Sequence, residues 1–467
     1  DSLLFTVKVV TCLIFGILFL SVAVFTIVVD PVLMIVRHVS QLNYDNEADA
    51  VHLSVYLFNI TNAERFQSGE DEKLKMDEVG PFTYQEMRSN EDLEIDKEAS
   101  VIRYTPRHRS IFLPEESVGN PKEIIVNMPN VAMMTMASAV ASYGYLAKIG
   151  FNMLTTQLRS NVTVSMSVHD YLWGYDDPLI KLGNGILPGW ISFDKLGLLD
   201  RLYDKNATKR VEVSSKEEDK FMIKKLKIFI FRSRCNSFTD SFEGLGYPPE
   251  LRPDRPLRIY RNVLCRLLEL EYTGNRRMDF GIEGYHYKIS NKTYTKIPEN
   301  ECLCNKGICY EGISDLSPCF YGLPLVLSNA HFLNSNPAIY EKIEGMKPNE
   351  EKHGSGFTVD PIMGMVMSTK FSVQVNLLMK QVDFNSKTTK FSNMFLPVMY
   401  LKIVSTFVFL FLTISSHFLV ITGLILLSHA AKLTYCKWYH PRRKVILLCQ
   451  QTKDNMSEIT KEPLMER

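Results

Sequence analysis

Apolar residues divide this chain into three parts. Val9–Val29 carries no charge over 21 residues, and Ile403–Ser428 carries none over 26 with His417 counted as neutral. Each is long enough for a helix across a hydrocarbon core, which takes about 20 residues. Between them the pattern is mostly strand-like. HLSVYLFNIT (52–61), KKLKIFIF (224–231), RIY (258–260), GYHYKI (284–289) and FSVQVNLLM (371–379) read as strands. In the last, Phe371, Val373, Val375 and Leu377 share one face, the period of a half-buried strand. EVGPFTYQE (78–86) reads as a Gly-Pro turn entering a strand, and 103–105 and 110–113 as two short strands. The period changes over 130–159. There Met133, Met136, Ala137, Val140, Tyr143, Ala147, Met153 and Leu154 recur at helical spacing. One or two helices are predicted, with Gly144 and Gly150 as breaks and the Met stripe as core packing, and a further helix over 164–173. Helices set into a strand-rich chain predict an α+β fold, an antiparallel sheet or barrel capped by helices.

Charge sets the orientation. Lys432, Lys437, Arg442, Arg443 and Lys444 follow the second apolar segment, and such a cluster stays cytoplasmic. The predicted layout is a cytoplasmic segment 1–8, a transmembrane helix 9–29, a luminal or extracellular ectodomain 30–402, a transmembrane helix 403–428 and a cytoplasmic tail 429–467. The rival for 9–29 is a cleaved signal peptide. Its apolar run is long for that, and VVDP at its end is a poor cleavage site. The chain opens at Asp1 without Met, so residues upstream are expected. His417 lies mid-span, where facing a partner helix would offset its cost. With 53 Lys+Arg against 52 Asp+Glu, nothing favours nucleic acid as a partner. Ser214–Lys220, SSKEEDK, reads as an exposed loop.

Topology then bears on the cysteines. Cys235, Cys265, Cys302, Cys304, Cys309 and Cys319 fall in the ectodomain, where thiols pair. Spacing alone leaves the pairing open, and a zinc site is the rival reading of 302–309. The single residue between Cys302 and Cys304 is unlike the usual zinc spacing. Cys436, beside the second span, is a palmitoylation candidate. Asn59, Asn161, Asn206 and Asn291 head N-glycosylation sequons within the ectodomain.

The strings VYLFNITNAERF (55–66), EVGPFTYQE (78–86), YLWGYDDP (171–178), HFLNSNP (331–337), KPNEEKHGSGFTVDPIMGMVM (347–367) and VQVNLLMK (373–380) occur in this order between the two apolar segments. In these, the chain resembles the class B scavenger receptors. That family includes a fatty acid translocase, a high-density-lipoprotein receptor, a lysosomal integral membrane protein and insect sensory neuron membrane proteins. The resemblance implies an irregular antiparallel β-barrel, a membrane-distal helical bundle at 130–173 and an internal hydrophobic tunnel. It also implies the pairs Cys235–Cys302, Cys265–Cys319 and Cys304–Cys309 within a disulfide region, 235–319. Lipoprotein-binding members use apical cations. Counting back from Trp173 places one on Arg159, and Lys148 is the only lysine of the segment. A glycan on Asn161 would shield that patch, and His169 and Asp170 would join the surface.

No enzyme and no cofactor are predicted. GxSxG, HExxH and GxxxxGK[ST] are absent, and Gly183–Gly189 has the wrong spacing for a dinucleotide fingerprint. Glu350, Glu351 and His353 lie close in sequence, the composition of an acid–base site, but charged loop residues are mostly structural. The expected function is a cell-membrane receptor that binds lipid, lipoprotein or lipid-carrier ligands, with homo-oligomers allowed. It would pass a fatty acid, sterol or carotenoid through the tunnel to the bilayer. The alternatives are a lysosomal membrane protein that sorts a hydrolase or exports lipid, for which Glu462–Met465 is a weak sorting signal, and a recognition receptor for apoptotic cells, pathogens or a lipid pheromone.

Overall fold

The computed structural model describes residues 11, 14–20, 51–186, 195–203, 210–226, 240–244, 246–261, 266–278, 283–295, 310–317, 322–406, 420–432 and 434. The chain divides into a terminal unit (1–41 with 408–467) and a large unit (42–407). In the terminal unit, 14–20 and 420–432 are helical. They meet through glycine: a Cβ on Gly16 would lie 2.9 Å from the Leu427 side chain, and one on Gly423 would lie 3.0 Å from that of Leu20. Small residues at such positions let helix backbones approach closely. Among the described residues no helix is long and apolar enough to cross a membrane. Much of both apolar segments, His417 included, lies outside the described residues.

The large unit begins with β1 (Val51–Ile60), α1 (Ala63–Ser68), β2 (Leu74–Asp96), β3 (Val101–Phe112) and β4 (Ile125–Pro129). The helices α2 (Val131–Val140) and α3 (Tyr145–Gln157) follow, then β5 (Thr163–Ser167), α4 (Val168–Trp173), α5 (Pro178–Ile186) and α6 (Leu198–Leu202). Strands resume with β6 (Val211–Ser214), β7 (Ile223–Leu226), β8 (Ser241–Phe242), β9 (Leu257–Arg261), β10 (Arg266–Arg277), β11 (Glu283–Ile289), β12 (Ser314–Asp315), β13 (Leu325–Ser328) and β14 (Ile343–Glu344). The short helix α7 (Glu350–His353), β15 (Gly356–Val359), β16 (Val366–Leu378) and β17 (Phe395–Thr406) complete it.

One sheet dominates, in the order β7-β6-β3-β2-β1-β17-β16-β15-β11-β10-β9-β8. A bridge between Met222, beside β7, and Phe242, in β8, links the two ends of this order and nearly closes the sheet. Inner faces are apolar over much of its length, with Leu53, Val55, Leu57, Phe82, Leu268, Phe357 and Val373 buried in one core. The α+β architecture and the helical insertion match the sequence pattern.

Several elements differ from it, each for a local reason. EVGPFTYQE is no turn: 78–86 is continuous β2, paired with β1 across a bulge at Val55/Leu57. There the Gly80–Pro81 peptide is cis and Gly80 has φ +154°; a Cβ would fall 2.8 Å from the Val55 carbonyl. The segments 103–105 and 110–113 join in one strand, β3, because its whole length finds a partner in β2. Residues 164–167 pair with β4 in a separate two-stranded sheet, and the Ser167 hydroxyl caps α4, so the predicted helix 164–173 is half strand. Gly144 is the N-cap of α3, whereas Gly150 lies inside that helix without breaking it. Ser214 is the buried end of β6, and Glu217–Asp219 form a 3-10 turn. Residues 403–406, assigned to the second apolar span, continue β17, where Thr406 pairs with Ser368.

The clearest departure is β16, buried on both faces. Phe371, Val373, Val375 and Leu377 fill one side, and Ser372, Gln374 and Asn376 are equally buried on the other. The 3-10 turn Ala330–Phe332 covers that polar side. Gln374 Oε1 accepts from the His331 backbone N–H at 2.7 Å, and its Nε2 donates to Asn376 Oδ1 at 2.6 Å. Asn376 Nδ2 in turn donates to Ser328 Oγ at 3.0 Å. Satisfied internally, these groups tolerate burial that would otherwise be costly. Gln374→Leu strands the His331 amide and the Asn376 carboxamide, so it should lower stability by about 1–3 kcal/mol. Thermal melts of the full chain in detergent test this, with exposed Ile111→Ala as a control expected within about 0.5 kcal/mol of the parent.

Candidate ligand-binding site

Helix α3 turns an apolar stripe to solvent. Tyr145, Leu146 and Met153 are 76%, 83% and 69% exposed, and Tyr143 and Ile149 extend the patch. On α2 the methionines behave otherwise: Met133 and Met134 are fully buried. The predicted cations separate. Arg159 is exposed in the turn after α3, with φ 50°, and makes no ion pair among the described residues. Lys148 is held down, 3.9 Å from Asp383 and 5.3 Å over the Phe384 ring. A lysine that the sequence reading overlooked stands by Asn161: Lys387 Nζ donates to the Ser160 carbonyl at 2.7 Å and to Asn161 Oδ1 at 3.0 Å.

A cleft of ≈ 730 Å³ opens beside α4, lined by Tyr84, Ser110, Phe112, Pro114, Gly119, Asn120, Pro121, Lys122, His169 and Trp173. Its floor is aromatic. Trp173 Nε1 donates to the Tyr84 hydroxyl at 3.2 Å, and the Tyr84 ring lies 5.5 Å from both Trp173 and Phe112. Tyr203 stacks on the far side of Trp173 at 5.8 Å. The rim is polar, with exposed Lys122 and with His169 3.5 Å from Asp170. An apolar floor under a polar rim suits an amphiphile. Of its lining, the sequence pointed to His169 and Trp173; Tyr84 lies in EVGPFTYQE, which carries the strand reading and the resemblance but marks no site, and Lys122 and Phe112 lie in none of the quoted strings.

Below this cleft the inner faces of β2 and β3 turn ionic. Glu86 pairs with His108, and Arg88 Nη2 lies 2.8 Å from Glu243, which also accepts from the Tyr104 hydroxyl. Arg261, at the end of β9, joins the group electrostatically. Burial opposes ionisation of Glu86 and Glu243. The hydrogen bond and charge of His108 outweigh it for Glu86, and Arg88 and Tyr104 do so for Glu243, so both carboxyls stay below their usual range. Arg88 is likewise pushed down by burial, but Glu243 more than restores it.

Across the sheet, His353 belongs to a different cluster from the acid–base group expected. Glu350 turns to Lys288 at 2.6 Å, while the His353 ring stacks on His331 at 4.2 Å and 12°. His331 Nε2 lies 2.7 Å from Glu78, and Phe58 and Tyr400 pack edge-on. One ligand atom each from Glu78, His331 and His353 lies within 4.8 Å of the others, close enough for a metal. The hydrogen bonds argue otherwise. The Lys347 amide donates to His331 Nδ1 at 3.0 Å and the Asn349 amide to His353 Nδ1 at 3.1 Å. Both protons are thereby placed on Nε2, leaving no lone pair where a metal would sit. The cluster works as a latch that ties 347–349 to the sheet. Burial opposes the charge on Glu78, but the hydrogen bonds of His331 and Tyr400 hold its carboxyl below the usual value.

Burial and the His331 neighbour lower the His353 pKa from 6.5 to about 4. Its neutral form therefore stabilises the fold fully above pH ~6.5, and that contribution is lost as pH falls toward ~4, in all about 3 kcal/mol. Thermal melts from pH 7 to 4 should show a steeper fall for the parent than for His353→Asn, whose side-chain oxygen can still accept from Asn349. Equal slopes would remove His353 as the source.

Asn161 and Asn291 are exposed, and Asn59 is half-buried with its Oδ1 accepting from the Asn127 amide at 2.7 Å. Asn206, Cys436 and the cysteines at 235, 265, 302, 304, 309 and 319 lie outside the described residues.

Comparison with known proteins adds three observations. Residues 7–433 match the family model described as CD36 family. The chain is 27% identical over 364 residues to lysosome membrane protein 2 of Rattus norvegicus, covering 75% of this chain and 74% of that protein. It is also 27% identical over 365 residues to scavenger receptor class B member 1 of Bos taurus, covering 75% of this chain and 69% of that protein. The nearly closed sheet with its helical insertion and this match over almost the whole length agree: the chain belongs to the CD36 family.

Proposed function

We propose that this chain is a membrane receptor that takes amphiphilic lipid from a carrier at its helical insertion and passes it inward along the β2–β3 pair toward the membrane. One observation carries the reading: the cleft between α4 and the β2–β3 pair, with its floor of Tyr84, Phe112 and Trp173 and its rim of Lys122 and His169. An acyl chain moving onto that floor gains roughly 25 cal/mol for each Å² removed from water. The exposed stripe Tyr145, Leu146, Ile149 and Met153 serves as the surface on which a lipid-bearing particle lands. The same reading includes disulfides Cys235–Cys302, Cys265–Cys319 and Cys304–Cys309, N-glycans on the ectodomain sequons, and two spans with both ends cytoplasmic. Residence in the lysosomal membrane is a second reading, favoured by the relatives named lysosome membrane protein 2. Imaging a tagged chain against surface and lysosomal markers separates the two.

Cells expressing the chain should take up labelled lipid saturably. Ser110→Trp, which fills the cleft, should cut uptake about tenfold with surface expression unchanged. Leu146→Asp with Met153→Asp should lower capture from carrier particles but spare uptake of free lipid. Full uptake by the Ser110→Trp variant would remove the cleft from the route.

A further inference from the structure

We propose that the turn between β15 and β16, residues 360–365, inserts its apolar tip into the headgroup layer of a zwitterionic bilayer, giving the large unit a membrane contact besides its two chain exits. The inference goes beyond the cargo reading above and rests only on the two spans included in it.

Strand register fixes the end of the sheet to which this turn belongs. β17 stops at Thr406, which pairs with Ser368. β16 begins two residues earlier, at Val366, whose partner in β15 is Val359. The turn therefore projects past the last residue of β17. The start of β1 lies at the same end, since His52 pairs with Val404. The other end of β16 runs up to the helical insertion. There Ser138 Oγ donates to Met379 Sδ at 3.6 Å and accepts from the Lys380 amide at 3.3 Å. The turn and both chain exits thus share the end away from α2. From 407 onward, 22 residues carry no formal charge with His417 counted as neutral. Where that run enters hydrocarbon, Thr406 stands at the interface, and a turn reaching beyond it meets lipid.

The turn is built for that position. Ile362 at its tip is 73% exposed, with Pro361 and Met363 half-buried on either side. An exposed isoleucine alone is ordinary. Here, however, the backbone that holds it out has little need of water. Asp360 Oδ1 accepts from the Ile362 and Met363 amides at 2.7 and 3.0 Å, and the Gly364 amide donates to the Asp360 carbonyl at 2.9 Å. The neighbouring segment 247–251 takes up the carbonyls. The Leu251 amide donates to Pro361 at 2.7 Å, that of Glu250 to Ile362 at 3.1 Å and that of Tyr247 to Gly364 at 2.8 Å. Backbone whose polar groups are satisfied by protein can enter a lipid layer at small cost. Gly364 permits this buttress: its φ is 70°, and a Cβ would fall 2.1 Å from the Tyr247 carbonyl. Around the tip the charges are mixed. Tyr285 pairs with Val359, so Glu283 and its partner Arg277 reach the same end, and Glu250 and Arg252 flank the buttress, all four exposed. A ring of both signs suits headgroups that carry both a phosphate and an ammonium.

The test uses the full chain in phosphatidylcholine nanodiscs, with Cys12→Ser, Cys436→Ser and Cys449→Ser, and a nitroxide on Ile362→Cys. Accessibility to oxygen, which concentrates in hydrocarbon, is compared with accessibility to a water-soluble nickel chelate. The oxygen-to-nickel ratio should be at least about fivefold higher than on Ile125→Cys, an equally exposed position beside the helical insertion. Equal ratios at the two positions overturn the proposal. Arg277→Cys reads the neighbouring hairpin independently and should give an intermediate ratio. A ratio there as low as at Ile125→Cys overturns the proposal even if the Ile362→Cys chain does not fold. Adding phosphatidylserine should leave the ratios unchanged; insertion that appears only with it overturns the assignment to a zwitterionic surface. Extraction of the parent chain from membranes by alkaline carbonate removes the two spans and this inference together. A chain that resists extraction but shows water-like ratios at both labelled positions keeps its spans and loses the inserted turn.

Discussion

A sheet whose two ends meet acquires an inside, and every polar group turned inward must find its partner there. The Met222–Phe242 bridge imposes that condition on the large unit. The solutions differ around the ring. On β16 the polar side is the face away from that core, under the turn Ala330–Phe332, and there neutral amides and a hydroxyl satisfy one another through Gln374, Asn376 and Ser328. On β2 and β3 they are charged, and Arg88 with Glu243 and Glu86 with His108 answer the requirement in pairs. Neutral networks rigidify a wall. Paired charges keep buried carboxylates and guanidinium ionised where burial alone would oppose it.

How much of this was legible in the sequence depended on the range of the interaction. Alternation located β1, β9, β11 and β16, since a strand facing a core needs only its own residues to show the period. It misjudged β16, because a polar face looks solvent-exposed in sequence until the turn Ala330–Phe332 is known to cover it. The helical period at 130–157 was visible, but its break came only at Gly144, where a cap is needed, and not at Gly150, which α3 simply absorbs. EVGPF carries every local sign of a turn, and only pairing with β1 over its full length makes it a strand.

The site was less legible than the fold. Arg159 was marked through the resemblance, by counting back from Trp173, and Lys148 as the only lysine of the segment. Capture of Lys148 by Asp383 and Phe384 depends on a loop more than two hundred residues away. Lys122 sits in no motif. Its significance comes from the aromatic floor that lies beside it in space. His353 was noticed for the wrong neighbours, since Glu350 and Glu351 adjoin it in sequence while His331 and Glu78 do so in space.

The pairing of β1 with β17 has a mechanical side. His52 lies opposite Val404 and Leu57 opposite Met399, so the chain enters and leaves the sheet at the same end of one antiparallel pair. A tension drawing residues 51 and 406 apart loads the hydrogen bonds of that pair one after another, from the open end inward, like a zip. A tension along the strands would load them all together. The large unit is thus weakest against separation of its own two exits, and its resistance to force depends on whether those exits are held side by side.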